Sequence, residues 1–105
     1  MELVTKKTMH LFSGRTNPDL AVEVAEHLGI ELGDPQLTDF ANGELKCRFR
    51  DSVRGGDVFI MQSHALTSGI SLNDSIMEQL IMIDAAKRAS AKRITAVMPF
   101  YGYAR

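Results

Sequence analysis

Apolar and polar residues fall in blocks along the chain, and the spacing within each block predicts what it forms. Met9-His10-Leu11-Phe12-Ser13 is a short apolar run closed by Gly14, the pattern of a buried strand. Asn17-Pro18-Asp19 then opens a helix running to about Leu28. The Asn side chain can accept from an unpaired amide of the first turn, proline sits where no amide is needed, and the carboxylate meets the positive end of the dipole. Leu20, Ala21, Val24, Ala25 and Leu28 recur at helical spacing, and Gly29 can close the last turn in the left-handed conformation. Residues 1–8 are polar and without period, and residues 30–39 fit neither template.

From Leu37 the chain approaches Phe40-Ala41-Asn42-Gly43-Glu44, where Asn-Gly predicts a two-residue type I′ hairpin turn. Beyond it Leu45, Cys47 and Phe49 share one face and Lys46, Arg48 and Arg50 the other. An antiparallel hairpin at about 37–50 therefore packs one face and turns the other to solvent or anions. Residues 51–57 make a Gly-rich loop, and Val58-Phe59-Ile60-Met61 is a continuous apolar run suited to a central parallel strand. After a polar loop, Ser71 and Asp74 resemble a capping box that opens a helix to about Ser90. Its packed face is predicted to be Ile76, Met77, Leu80, Ile83 and the stem of Lys87. Residues 94–98 are a further buried strand, ended by Pro99 and the aromatic tail Phe100-Tyr101-Gly102-Tyr103-Ala104-Arg105.

Strands alternating with helices predict an α/β fold: a mostly parallel sheet with helices on its faces and one antiparallel hairpin. The chain stops directly after a strand, so the sheet is expected to be incomplete and residues 1–105 to be part of a larger domain. The 105 residues are 45% hydrophobic and 24% charged, a globular balance. A net charge of −1 provides no field to gather a polyanion, so nucleic acid is not an expected partner. Cys47 is the only cysteine and cannot form an internal disulfide, and no stretch has a signal-peptide layout, which together predict a cytoplasmic protein. The longest strongly apolar stretch, residues 80–83, is far too short to span a membrane.

In open α/β sheets ligands bind beyond the carboxyl ends of the parallel strands, which directs attention to the loops after Ser13, Ser63 and Met98. The tail at residues 100–105 can flank a base with aromatic rings and offer Arg105 to phosphate or a base edge; alternatively its rings seal a sheet edge. Phe40 and Glu44, either side of Asn42-Gly43, can stack on a base and accept its exocyclic amine or a ribose hydroxyl, although a plain hairpin also accounts for them. Ser52 and Arg54 can present a hydroxyl and a guanidinium to an anion, or form a solvated turn with a surface ion pair. Ser13-Gly14-Arg15 matches neither the G-x-G-x-x-G pattern nor the phosphate-binding lysine loop. Cys47 sits on the packed face, where cysteine behaves as a small hydrophobe, and His10, His27 and His64 lack metal-ligand spacing.

Five ordered blocks together resemble the ribose-phosphate pyrophosphokinase (phosphoribosyl diphosphate, PRPP, synthetase) family. They are Leu11-Phe12-Ser13-Gly14 with Asn17 and Leu20, Phe40-Ala41-Asn42-Gly43-Glu44, Asp51-Ser52-Val53-Arg54-Gly55, the run from Met77 to Ala85, and the run from Arg93 to Arg105. The resemblance implies a phosphoribosyltransferase-like sheet and an enzyme that transfers diphosphate from ATP to ribose 5-phosphate, with Mg²⁺ required. It implies that Phe40, Asn42, Gly43 and Glu44 hold adenine on the ATP of a neighbouring subunit, that Arg105 opens the other side of the ATP site, and that Ser52 and Arg54 belong to a regulatory anion site. It further implies a homo-oligomer, a hexamer built from dimers, and places the Mg²⁺ ligands, catalytic loop and ribose 5-phosphate loop beyond Arg105. Residues 1–105 alone are accordingly expected to be inactive. A non-catalytic regulatory or interaction relative of the same family is the alternative, and a phosphoribosyltransferase fits less well because its acidic ligand loop is absent from these residues.

Overall fold

The computed structural model describes residues 9–67 and 69–105; the polar stretch at residues 1–8 lies outside them. The elements run β1 (Met9–Ser13), α1 (Pro18–Leu28), β2 (Thr38–Asp39), β3 (Leu45–Lys46), β4 (Asp57–Met61), α2 (Leu72–Arg88) and β5 (Arg93–Val97). β1, β4 and β5 form a parallel sheet with β4 in the middle, and β2 and β3 form a separate antiparallel pair. The α/β architecture matches the sequence reading, and both helix starts follow their local chemistry. Asn17 accepts from the Leu20 amide at the head of α1, Ser71 accepts from the Asp74 amide at the head of α2, and Gly29 closes α1 in the left-handed conformation.

The sheet is covered on both faces. Leu11 and Met61 pack under Ala21 and Ala25 of α1, while Phe12, Val58 and Ile60 point the other way onto Met82 and Ala86 of α2. Alternate residues of each strand thus feed opposite layers, as the pleat requires. Between α1 and β2 the chain passes along the outer side of β1, where the Gly33 amide donates to Leu11 O at 2.9 Å. A Cβ on Gly33 would collide with the Phe12 ring, so this close passage requires glycine. It carries the chain from the α1 layer to the α2 layer, where Leu37, Cys47 and Phe49 pack against the α2 side of the core.

Four sequence expectations need correction. The buried face of α2 is Ser75, Glu78, Gln79, Met82 and Ala86, with Ile83 partly buried against the core as expected, whereas Met77 and Leu80 are half-exposed and Lys87 points to solvent. Polar groups at the carboxyl end of β4 claim the inner face of the first turns, so the apolar periodicity there marks the wrong side. The turn after Phe40 is not a two-residue type I′ turn. The Gly43 amide donates to Phe40 O, the Phe40 amide to Glu44 O, and Gly43 alone has positive φ, at 95°, which makes a three-residue loop with glycine at the bulge.

The strand after that turn stops at Lys46, and residues 47–50 continue as extended chain that donates through Arg48 N to Pro35 O and Arg50 N to Asp34 O. Pro35 has no amide to return, so no full ladder forms. The predicted side alternation nevertheless holds, with Cys47 and Phe49 partly buried and Lys46, Arg48 and Arg50 exposed. β5 is an edge strand whose residues from Ile94 to Val97 are only half-buried. No helix among the described residues is long and apolar enough to cross a membrane.

Candidate functional site

Beyond the carboxyl ends of β1 and β4 lies a set of buried polar side chains that accounts for nearly every donor and acceptor within it. Gln62, Glu78, Gln79 and His64 are each at most 3% exposed. Glu78 Oε1 accepts from the Arg15 amide at 2.7 Å and from Gln62 Nε2 at 2.8 Å, and Glu78 Oε2 accepts from Arg15 Nε at 2.7 Å. Gln62 Nε2 also donates to Ser75 O, and Thr16 Oγ1 lies 2.9 Å from Gln62 Oε1 and 2.8 Å from Ser63 O, one proton facing two acceptors. Gly14 has no Cβ because one would overlap the Gln62 amide, so this glycine admits the network to the strand end.

The Arg15 guanidinium reaches outward from this network. Its two terminal nitrogens donate to the two carboxylate oxygens of Asp39 at 2.9 and 3.0 Å, a bidentate pair on the residue next to Phe40. Hydrogen bonding to Arg15 holds the Asp39 carboxyl below the usual carboxylate range, and the bond to Asp39, opposed by partial burial, raises Arg15. Cys47 is pushed up to about 11, first by burial and then by the nearby Glu78 charge, which leaves little thiolate at neutral pH.

A cleft of about 540 Å³ opens between the hairpin and the first half of α2. Phe40, Gly43 and Glu44 line it, facing Asp74, Met77 and Ile81. Phe40 is 47% exposed, leaving a ring face free, and the Gly43 bulge exposes backbone at the rim. Asn42 stands at the tip outside the cleft lining, where its Oδ1 accepts from the Glu44 amide and fixes the turn.

Arg105 occupies a different cleft, bounded by Leu72 and residues 100–105, which among the described residues shares no lining residue with the first. Phe100, Tyr101 and Tyr103 remain 58–71% exposed in this chain. The tail is positioned through His64. His64 Nδ1 accepts from the Gly102 amide at 2.9 Å, so Nε2 carries the ring proton and donates to Gln79 Oε1 at 2.7 Å. Tyr103 Oη donates to Asn73 Oδ1 at 2.6 Å.

Ser52 lines a third cleft, along the outer side of β3 and the second half of α2, whose cations are Lys46, Arg48, Arg50 and Arg88. Arg54 does not line it, and its backbone amide donates to Ser52 Oγ in a local turn. The hairpin, the tail and Ser52, which the sequence singled out, thus line three clefts, whereas Arg15, Asp39, Gln62, Glu78 and Gln79 were not among its candidate site residues. Among the described residues no three His, Cys, Asp or Glu side chains gather to hold a metal ion.

Comparison with known proteins assigns the lineage. Residues 9–105 match the family model for the N-terminal domain of ribose phosphate pyrophosphokinase. The chain is 53% identical over 100 residues to the ribose-phosphate pyrophosphokinase of Streptomyces coelicolor, covering 95% of this chain and 30% of that protein. It is 56% identical over 99 residues to that of Corynebacterium efficiens, covering 94% and 29%. Among solved structures, phosphoribosylpyrophosphate synthetase from Mycobacterium smegmatis superposes with a TM-score of 0.86 at 54% identity, covering 93% of this chain and 32% of that one. The chain spans about 30% of the length of the relatives it matches. With the family model covering nearly all of it, and the sheet, hairpin and helices in the same arrangement, this chain belongs to the ribose-phosphate pyrophosphokinase family, as its N-terminal domain.

Proposed function

We propose that this domain supplies the nucleotide-facing hairpin of an enzyme that makes PRPP and AMP from ATP and ribose 5-phosphate for nucleotide biosynthesis in the cytoplasm. In that reaction the 1-hydroxyl oxygen of the sugar bonds to the β-phosphorus of ATP, the bond from that phosphorus to the oxygen bridging it to the α-phosphate breaks, AMP leaves, and the hydroxyl proton is lost to solvent. The observation that carries the reading is the hairpin itself: Phe40 half-exposed and Glu44 beside it on the rim of a cleft, held by an ion pair in a chain of this family. A phenyl face suits an adenine ring, the Glu44 carboxylate accepts from the exocyclic amine, and Gly43 lets the base approach backbone. Asn42 holds the turn that sets their spacing.

Arg105 is assigned to the phosphate or base edge on the far side of the nucleotide. Because the hairpin and Arg105 line separate clefts, one ATP meets both when two copies of the chain adjoin, which supports a homo-oligomer, a hexamer in the family pattern. Mg²⁺ is the required cofactor in this reading. The described residues do not assemble a site for it, and its protein ligands are assigned to the part of the enzyme beyond residue 105. Phosphoryl transfer depends on positioned charge, so residues 1–105 alone are assigned no turnover. Ser52, beside the cluster of Arg side chains, is assigned with Arg54 to a regulatory anion site where phosphate activates and ADP inhibits.

The test is PRPP formation by the full-length protein carrying this domain, with isothermal titration of residues 1–105 against Mg-ATP alongside. Phe40→Ala and Glu44→Ala are expected to raise the KM for Mg-ATP by about tenfold or more, the loss of a stacked ring or a charge-assisted hydrogen bond. Unchanged KM in both variants, or no PRPP from the wild type, would refute the reading.

A further inference from the structure

The hairpin is weakly built for a segment that must hold an aromatic ring at a fixed height. β2 and β3 pair over two residues each, and residues 38–44 are all exposed. An isolated two-stranded ribbon of this size is marginal in water, so its position must come from outside it. Among the described residues, apart from a local bond from Thr38 Oγ1 to Gln36 O, the side-chain hydrogen bonds linking residues 38–44 to the rest of the fold are the two from Arg15 to Asp39.

Arg15 is itself anchored. Its backbone amide and Nε both donate to Glu78, which is 2% exposed on the inner face of α2 and tied to Gln62. One edge of the guanidinium is therefore fixed to the buried network, and the terminal nitrogens project in a single plane toward the hairpin. A planar fork delivers two parallel bonds to one carboxylate, whereas an ammonium at the same place gives one point contact on a flexible stem.

We propose that Arg15 is a positioning residue for the nucleotide, acting through Asp39 to hold Phe40 and Glu44 over the cleft. The inference rests on the hairpin reading proposed above, names the two residues of the ion pair as what sets the hairpin's position, and assigns them control of nucleotide affinity without a role in the transfer step.

The experiment uses the full-length protein with Asp39→Asn, Asp39→Glu and Arg15→Lys, and measures kcat, KM for Mg-ATP, KM for ribose 5-phosphate and amide exchange at Phe40 and Gly43. Asp39→Asn and Arg15→Lys are expected to raise KM for Mg-ATP by about 5- to 20-fold and to speed exchange at both amides, an exposed bidentate pair being lost. kcat and KM for ribose 5-phosphate should stay within about twofold, and Asp39→Glu, which keeps the carboxylate, should recover most of the affinity. If both bridge variants leave KM for Mg-ATP unchanged while Phe40→Ala raises it, the proposal is overturned and the hairpin reading stands. If Phe40→Ala and Glu44→Ala are also silent, the hairpin reading falls and takes the proposal with it. A variant that lowers kcat, both affinities and thermal stability together would mark the bridge as merely structural, and would likewise overturn it.

Discussion

Two ion pairs in this protein share one geometry and differ in burial, which makes Glu78 a quantitative test of the buried network. Arg15 Nε lies 2.7 Å from Glu78 Oε2, and Arg88 Nε lies 2.7 Å from Asp84 Oδ2. The Glu78 side chain is 2% exposed, while Arg88 and Asp84 are 79% and 58% exposed. Glu78→Ala strips the acceptor from the Arg15 amide and from one Gln62 N–H, and a buried donor left unpaired costs about 1–3 kcal/mol. The guanidinium keeps Asp39 and is 39% exposed, so its own loss is discounted to under about 1 kcal/mol. Two such donors come to about 2–6 kcal/mol, a large part of the roughly 5–15 kcal/mol that holds a domain together. Helix propensity acts in the opposite direction, since alanine is the better helix former by a few tenths of a kcal/mol. Arg88→Ala, by contrast, should cost about 0.5 kcal/mol or less, as for an exposed i,i+4 pair. Equilibrium urea unfolding followed by circular dichroism measures both. A cost under about 1 kcal/mol for Glu78→Ala at unchanged m-value, or equal costs for the two variants, would refute the reading that the buried donors depend on Glu78.

Met82, fully buried between α2 and the sheet, should cost about 2–5 kcal/mol as Met82→Ala in the same urea assay, the transfer and cavity terms together. Ser71→Ala removes the cap of α2 and should cost about 1 kcal/mol, with the exchange of the Asp74 amide rising. Cys47, pushed from 9.0 up to about 11, should alkylate about 100-fold more slowly near pH 7.5 than a free thiol at 9.0, read by the rate of maleimide labelling. Asp39 binds fewer protons folded than unfolded at low pH because Arg15 depresses it, so its contribution is complete above the unfolded value near 4 and is lost as pH falls through the folded value. In Arg15→Gln the Asp39 carboxyl carbon should titrate at higher pH by NMR, back in the ordinary carboxylate range.

The order and bounds of the main elements were legible because their signals are local. Asn17-Pro18-Asp19 caps α1, Ser71 caps α2, and the four-residue apolar run before Gln62 is the central strand. The inner face of α2 was not legible, since apolar periodicity assumes an apolar core. The first turns of α2 lie over the carboxyl end of β4, where Gln62 and His64 leave the sheet with polar groups to satisfy, so Ser75, Glu78 and Gln79 turn inward and Met77 and Leu80 outward. Asn42-Gly43 revealed the hairpin but placed its turn in the wrong class, because the same dipeptide serves a bulged three-residue loop with positive φ at the glycine alone. Arg15 stands in the loop after Ser13 that the topology singled out, but matches no phosphate-loop pattern, and its role was not legible because its partners are 24 and 63 residues away in sequence.

Those distant partners explain how two separate clefts are organised by one helix. Glu78 and Gln79 are neighbours on α2, yet their side chains serve different segments. Glu78 holds Arg15, and through it Asp39 and the hairpin; Gln79 accepts from His64, whose other ring nitrogen receives the Gly102 amide of the tail. Gln79 Nε2 also donates to Ile60 O, which ties the same turn to the sheet. Apolar contacts are non-directional and tolerate small sliding of a helix over a sheet. Hydrogen bonds with assigned partners do not, because each displaced donor is left unpaired in a low dielectric. A polar inner face on this turn therefore fixes the position of α2 where an apolar one would only hold it down. The hairpin bearing Phe40 and the tail bearing Arg105 inherit that position together, so a substitution that shifts this turn is expected to disturb both clefts, although no side chain among the described residues is common to their linings.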